Sequence, residues 1–227
     1  MQSNDDDLKF THEGNTGSEN IWNLTFSPVT TYVLNETLVD TLVNRKDPRL
    51  PVIALPAEQT DLYHGRRIGT ETQELTTYSY PADFYSGVAS SNYIITYNEC
   101  LFIKAEATLI KSGYAAAEPV YEEAIQSNLS KLGIDPSSAD ASTYMNSRKL
   151  TSANAMQRII EEKAVANIFN LETFNDWRRT GYPILQPVDG ALSAIPRRLL
   201  YPQSEILTNA QPQQSAKLTD RVWWDAQ

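Results

Sequence analysis

The chain has 227 residues, with 28 Asp and Glu against 19 Lys and Arg, for a net charge of −9. So acidic a protein repels phosphate backbones, and its longest basic groupings are pairs such as Arg66-Arg67, which argues against a nucleic-acid surface. A single cysteine, Cys100, excludes an internal disulfide and a zinc cluster, and no run reaches the ~20 apolar residues of a membrane-spanning helix.

Residues 1–28 are polar, with Gly14, Gly17 and Pro28, and read as a frayed loop; the Asp5-Asp6-Asp7 run reads as solvated tail. No apolar signal core follows Met1. Trp22, Leu24 and Phe26 alternate with Asn23 and Thr25, a two-residue period that predicts a short strand. A helix is expected from Thr30 or Thr31 to about Arg45, with Val33, Leu34, Leu38, Val39 and Leu42 on one side. The two prolines of DPRLP at 47–51 predict extended chain after it. Residues 52–91 show no helical period but carry Tyr63, Tyr78, Tyr80, Phe84 and Tyr85. So long a loop suits either a binding surface or a cover for another part of the structure, and composition does not choose between them.

At Ser91 the character changes. Residues 92–112 are patterned as a helix through Ile94, Tyr97, Leu101, Ala105 and Leu109, closed by Gly113. A second helix is expected by Ala117, with Pro119 tolerated in its first turn, and runs to about Leu132. Ala105, Ala117, Tyr121 and Ala124 have the small, small, aromatic, small spacing of a tetratricopeptide helix hairpin, although Thr108 and Leu129 depart from its pattern. A shorter helix is expected over 135–148 and a further helix over about 152–170, the latter with a Met156, Ile159, Ile160, Ala164, Ile168 stripe facing the core. Glu161, Glu162 and Lys163 would then face solvent. DWRRTGYP at 176–183 reads as a helix end, with Arg178 and Arg179 on the negative terminus, Gly181 as left-handed cap and Pro183 as stop. IPRRLLYP at 195–202 reads as extended, 203–210 as a final helical turn, and Trp223-Trp224 as packed down.

The chain holds no GxSxG elbow, phosphate-binding glycine loop or HExxH helix. His12 and His64 are the only histidines, which leaves almost no material for a triad or a histidine-based metal site. Glycoside hydrolysis needs only two facing carboxyl groups. The obvious pairs, Glu122-Glu123 and Glu161-Glu162, read instead as exposed faces of amphipathic helices. The expectation is a non-enzyme without cofactor or metal. Sugar binding without chemistry suits the 12 Tyr and 4 Trp better, because pyranose C–H faces lie on flat rings while hydroxyls bond polar side chains. The candidate ligand residues are Tyr63, Tyr78, Tyr80 and Tyr85, with Arg66, Arg67, Glu74 and Asp83 nearby; the alternative is that these tyrosines pack the loop.

RKDPRLP (45–51), NYIITYNECLFIKAEA (92–107), YEEAI (121–125), DWRRTGYP, IPRRLLYP and VWWD (222–225), in that order, resemble landmarks of the SusD/RagB family over most of residues 35–227. The resemblance implies a mainly α fold of tetratricopeptide-like hairpins with long irregular loops. It also implies non-catalytic capture of glycan, or sometimes peptide, by an outer-membrane, cell-surface lipoprotein beside a SusC-like TonB-dependent transporter. Family members are longer at the N-terminus, where they carry the signal and the lipid-bearing cysteine. Residues 1–227 are therefore expected to be a C-terminal portion, loop-rich with one helix over 1–91 and helical over 92–227. The family's arginine motifs are structural, so Arg178, Arg179, Arg197 and Arg198 are expected to hold the C-terminal part together by ion pairing. The competing reading is a helical-repeat adaptor that binds proteins alone.

Overall fold

The hairpin is the centre of the computed structural model, which describes residues 1–26, 32–69, 74–191 and 194–225. Helix α5 (Tyr97–Ser112) turns into α6 (Tyr114–Lys131) through one residue, Gly113, whose φ of 84° is open to glycine. Ala105, Ala117 and Ala124 are fully buried where the two helices approach, with Tyr121 beside Phe102. Leu101, Ile125 and Leu129 extend this core to α7 (Ala139–Ser147) and α8 (Ala155–Ala166) through Ala141, Tyr144, Ala155 and Ile159. The small-residue spacing therefore predicts the packing correctly. The second helix starts earlier than Ala117, so Pro119 sits inside it and not in its first turn.

Residues 92–95 are strand, not helix. β2 (Asn92–Ile95) pairs antiparallel with β1 (Leu8–Phe10) in a two-stranded sheet. The β-branched Ile94 and Ile95 fit a strand, and α5 is started behind them by two acceptors. Thr96 Oγ1 takes the Glu99 N–H at 3.3 Å, and Asp7 Oδ1 takes the Tyr97 N–H at 2.7 Å. The acidic run is accordingly structure and not tail. Asn4–Asp6 form a 3-10 turn closed by a Ser3–Asp6 capping box, and Asn4 and Ser127 exchange hydrogen bonds at 2.8 and 2.9 Å.

Residues 21–26 are also helical, not extended. In α1 (Ile21–Phe26) the buried Asn20 accepts the Trp22 N–H at 2.8 Å and donates to the Tyr85 and Ser90 carbonyls at 3.0 and 2.8 Å. That ties α1 to α4 (Asp83–Ser86). Helix α2 (Glu36–Asn44) begins later than expected because Asn35 caps it, taking the Leu38 N–H at 2.8 Å. The expected start at Thr30 or Thr31 lies outside the described residues. Gly65 lets the following loop reach Asn35, since a Cβ there would lie 2.4 Å from the Asn35 carbonyl oxygen.

DPRLP is likewise a turn into helix α3 (Leu50–Ile53), with Pro51 in its first turn where the missing N–H costs nothing. Asp47 Oδ1 accepts the Arg49 N–H at 2.9 Å and closes the turn. The fully buried Arg49 guanidinium then reaches Asp47 and Glu162 at 2.6 Å, the Tyr144 hydroxyl at 2.7 Å and Asn128 Oδ1 at 3.0 Å. Arg148 adds bonds to Glu162 at 2.9 Å and Glu161 at 2.8 Å, and Arg45 reaches Glu161 at 2.5 Å. Glu161, Glu162 and Lys163 are therefore buried, not solvent-facing. The arginines supply the partners that buried carboxylates require.

This network sets an acid limit. Burial pushes the Asp47 carboxyl up, but the Arg49 charge and hydrogen bonds outweigh it and hold the group below the usual range. Glu161 is also held low, its burial offset by hydrogen bonds from Gln157 and Arg148 and by the Arg45 and Arg148 charges. Depressed carboxyl values stabilise the fold fully above the unfolded values near 3.8 and 4.5, and that stability is lost as pH falls through the folded ones. Melting temperatures followed by circular dichroism are expected to be level from about pH 7 to 5 and to fall below about pH 4. An Asp47→Asn, Glu161→Gln variant that shows the same acid limb as the parent would remove these two groups as its cause.

The described residues fall into two compact units, Met1–Asn170 and Leu171–Gln227. In the second, α9 (Glu172–Thr180) ends at Gly181 in the left-handed conformation that the motif predicts (φ 76°, ψ 4°). Residues 195–202 are irregular, and α10 (Gln203–Thr208) follows. Of the four arginines, Arg197 pairs with both Asp225 oxygens (2.5 and 2.6 Å) and Arg179 pairs with Asp176 (2.7 Å). Arg178 works differently: its guanidinium lies 4.3 Å from the Phe174 ring centroid and 4.4 Å from that of Trp224, and it donates to the Arg197 carbonyl at 3.0 Å. Arg198 is fixed through its backbone N–H to the Leu218 carbonyl. Trp224 thus packs down, while Trp223 is exposed.

Candidate aromatic binding cleft

Four separate segments of the first unit build an aromatic cleft. α1 supplies Trp22, α4 supplies Tyr85, β2 supplies Tyr93, and the chain leaving α8 supplies Phe169. The ring of Phe169 stacks on Trp22 (centroids 4.6 Å apart, 26° between planes), meets Tyr85 edge-on at 5.7 Å and lies tilted by 46° against Phe26 at 5.7 Å. Phe84 lies parallel to Tyr93 at 5.9 Å. Ser91, Asn92 and Asn170 contribute the polar part of the lining, and the cavity is about 50 Å³.

Phe169 has a φ of 63°, in the left-handed region that a bulky side chain enters at a cost of roughly 1–2 kcal/mol. Such strain persists where the surroundings over-determine it, and it clusters at ligand clamps. Here it aims the ring into the stack against Trp22.

The electrostatics behind the cleft are set by Lys131. Its ammonium lies 3.6 Å from the Tyr93 ring centroid and 3.5 Å from Asp7 Oδ2. Burial pushes its pKa down to about 8 against the opposing pull of Asp7. Burial also raises the Tyr93 phenol, with Asp7 adding to the effect, which keeps it in the neutral form. On the other side Asn92 Nδ2 lies 3.1 Å from His12 Nε2, and His12 Nδ1 lies 3.2 Å from the Ser18 carbonyl.

Of the four tyrosines expected to hold ligand, Tyr85 alone lines this cleft, and it is nearly buried. Tyr78 is buried with its ring 5.2 Å from His64. Tyr63 is half-buried against Leu34, Val39 and Ala54, and Tyr80 is half-buried in the loop. Sequence reading missed Trp22, Asn92, Tyr93 and Phe169. The signal present was four aromatic or amide residues flanking element ends, in segments far apart along the chain.

Known proteins match this chain in both sequence pattern and fold. A family model, SusD-like_2, described as starch-binding and associating with the outer membrane, matches residues 1–202. The chain is similar to the structure of a SusD homologue from Bacteroides thetaiotaomicron (TM-score 0.82, 24% identity), covering 100% of this chain and 58% of that one. It is similar also to a chitin-binding protein (TM-score 0.80, 24% identity, 100% and 57% covered). A SusD homologue from Bacteroides fragilis gives a TM-score of 0.79 at 20% identity, with 99% and 58% covered. At these identities the likeness establishes the mainly α, SusD-like fold. The chain spans under three fifths of the length of these structures. A comparison with curated proteins finds no match.

Proposed function

The chain belongs to the SusD-like_2 family, and we propose that it captures glycan without chemistry at the outer bacterial surface. On this reading it serves a lipid-anchored protein that passes ligand to a SusC-like TonB-dependent transporter. The aromatic cleft is the observation that carries the proposal. Trp22, Tyr93 and Phe169 offer ring surface for pyranose C–H faces, and Ser91, Asn92 and Asn170 offer hydrogen bonds for substituents. A cavity of about 50 Å³ holds only a few water-sized groups, so it suits the end or a substituent of a glycan whose remainder lies outside.

Binding without hydrolysis is supported by the commitment of Glu161 and Glu162 to Arg45, Arg49 and Arg148, which leaves neither as an acid or nucleophile. The outer face of α5 supports a protein contact, since Ile103 and Ile110 are 51% and 72% exposed at seven-residue spacing. That face would serve a transporter contact, and it is equally what an adaptor without a sugar ligand would show.

Calorimetric titration with maltoheptaose and chitohexaose tests the cleft. Trp22→Ala is expected to weaken the bound oligosaccharide about ten-fold, ~1.4 kcal/mol, by removing one stacking face. Unchanged affinity in Trp22→Ala together with lost affinity in a Tyr63→Ala, Tyr80→Ala variant would move the site to the loop. No binding of either sugar would favour the adaptor.

A further inference from the structure

Tyr93 lines the cleft, and a cation holds its ring. Lys131 ends α6, and its stem carries the ammonium inward to 3.6 Å from the Tyr93 ring centroid. Phe84 lies parallel to the same ring at 5.9 Å. The ammonium also reaches Asp7 Oδ2 at 3.5 Å, and with the two side chains only 6% and 2% exposed, water screens the pair little. Asp7 leads into β1, whose Lys9 is the register partner of Tyr93 on β2, and its other oxygen caps α5 at the Tyr97 N–H. One buried charge therefore fixes Tyr93 twice, through the ring and through the strand beside it. The groups facing that charge are Asp7 and Lys9 from the β1 segment, Tyr93 from β2 and Glu99 from α5.

We propose that Lys131 is a positioning residue for the cleft: its ammonium clamps the Tyr93 ring in place, and losing that charge weakens capture of ligand without removing the cleft. The inference rests on the cleft being the glycan site. A desolvated cation over a ring attracts it more strongly than an exposed one, and a neutral amine has no comparable pull on the ring quadrupole. Burial is the largest influence on the Lys131 amine and brings its pKa down to about 8 against the opposing pull of Asp7. The clamp is therefore charged at about pH 7 and neutral by about pH 9.5, where an ordinary lysine at 10.5 keeps its proton. The Tyr93 phenol is moved the other way, above its ordinary 10.0, so the ring does not ionise over the same interval. Alkali thus releases the clamp and leaves the aromatic wall intact.

The test is calorimetric affinity for maltoheptaose and chitohexaose in steps from about pH 7 to about pH 9.5. The tighter of the two is expected to weaken about five-fold in the parent over that interval, with the midpoint near pH 8. Lys131→Arg keeps a cation throughout and should hold its affinity level, while Lys131→Met should bind at the parent's alkaline affinity at every pH. Tyr93→Phe keeps the ring without the phenol and should follow the parental profile. In the ligand-free protein the side-chain ¹³Cε resonance of Lys131 should titrate near pH 8, with the Tyr93 ring signals moving alongside it. A parental affinity that is flat with pH, a profile surviving in Lys131→Met, or a Lys131 resonance still that of an ammonium at about pH 9.5 overturns the proposal. Trp22→Ala serves as the separate control: parental affinity in that variant rejects the cleft as the glycan site, whatever Lys131 does.

Discussion

Replacing Arg49 with alanine is expected to destabilise the Met1–Asn170 unit by about 3–5 kcal/mol, a large part of the roughly 5–15 kcal/mol that holds a domain folded. The guanidinium is fully buried and uses Nε, Nη1 and Nη2 on four residues drawn from the turn before α3 and from α6, α7 and α8. Its loss would leave the buried Asp47 without its paired cation and the buried Glu162 dependent on Arg148 at 2.9 Å. That penalty, more than the loss of attraction, makes the effect large. Arg49→Lys should rescue little, because one ammonium cannot reproduce the planar fork that serves Asp47, Asn128 and Glu162 together. Arg45→Ala, at the 23% exposed rim of the same network, is expected to cost about 1 kcal/mol or less. Urea unfolding followed by circular dichroism reads all three. Equal costs for Arg45 and Arg49 would mean that position within the network does not matter and would sink this account.

The same network shows what the sequence could and could not reveal. RKDPRLP is visible as a family landmark, but its mechanism depends on Glu162, whose helical position beside Glu161 and Lys163 reads as solvent-facing. Charges on a helix look exposed unless their partners are known, and Arg49 lies 113 positions away. The hairpin was legible because its contacts are local: small residues at fixed spacing report how closely two adjacent helices approach. α1 and β2 were misread for a related reason. A six-residue alternation such as IWNLTF fits either structure, and the caps from Asn20, Thr96 and Asp7 decide the matter. The cleft was hidden for the same cause on a larger scale. The tyrosines of residues 63–85 are dense in sequence, yet the rings that converge in space come from positions 22, 85, 93 and 169. Density along a chain is composition, and convergence is topology.

Arg197→Ala is expected to loosen the Leu171–Gln227 unit by about 2–4 kcal/mol, because it breaks a clasp joining three of the family's motifs. Arg197 of IPRRLLYP grips both oxygens of Asp225 in VWWD, donates to the Arg178 carbonyl of DWRRTGYP at 2.6 Å, and lies 4.7 Å from the Trp177 ring centroid. Asp225 is nearly fully buried, and the Arg197 hydrogen bond leads the interactions that hold its carboxyl below the usual range. Arg221 reaches it only at 3.2 Å and cannot replace the bidentate pair. Hydrogen exchange at the Arg197 and Arg198 amides, which bond the Leu218 carbonyl, reports the loosening directly, and fluorescence of Trp177 and Trp224 should shift with it. Arg198→Ala is the informative comparison, being adjacent in sequence and, among the described residues, bonded through its backbone N–H. It is expected within about 0.5 kcal/mol of the parent, the range of ordinary surface substitutions. If the two arginines prove equally costly, the clasp is not what orders this unit, and the paired-arginine motif owes its form to something other than Asp225.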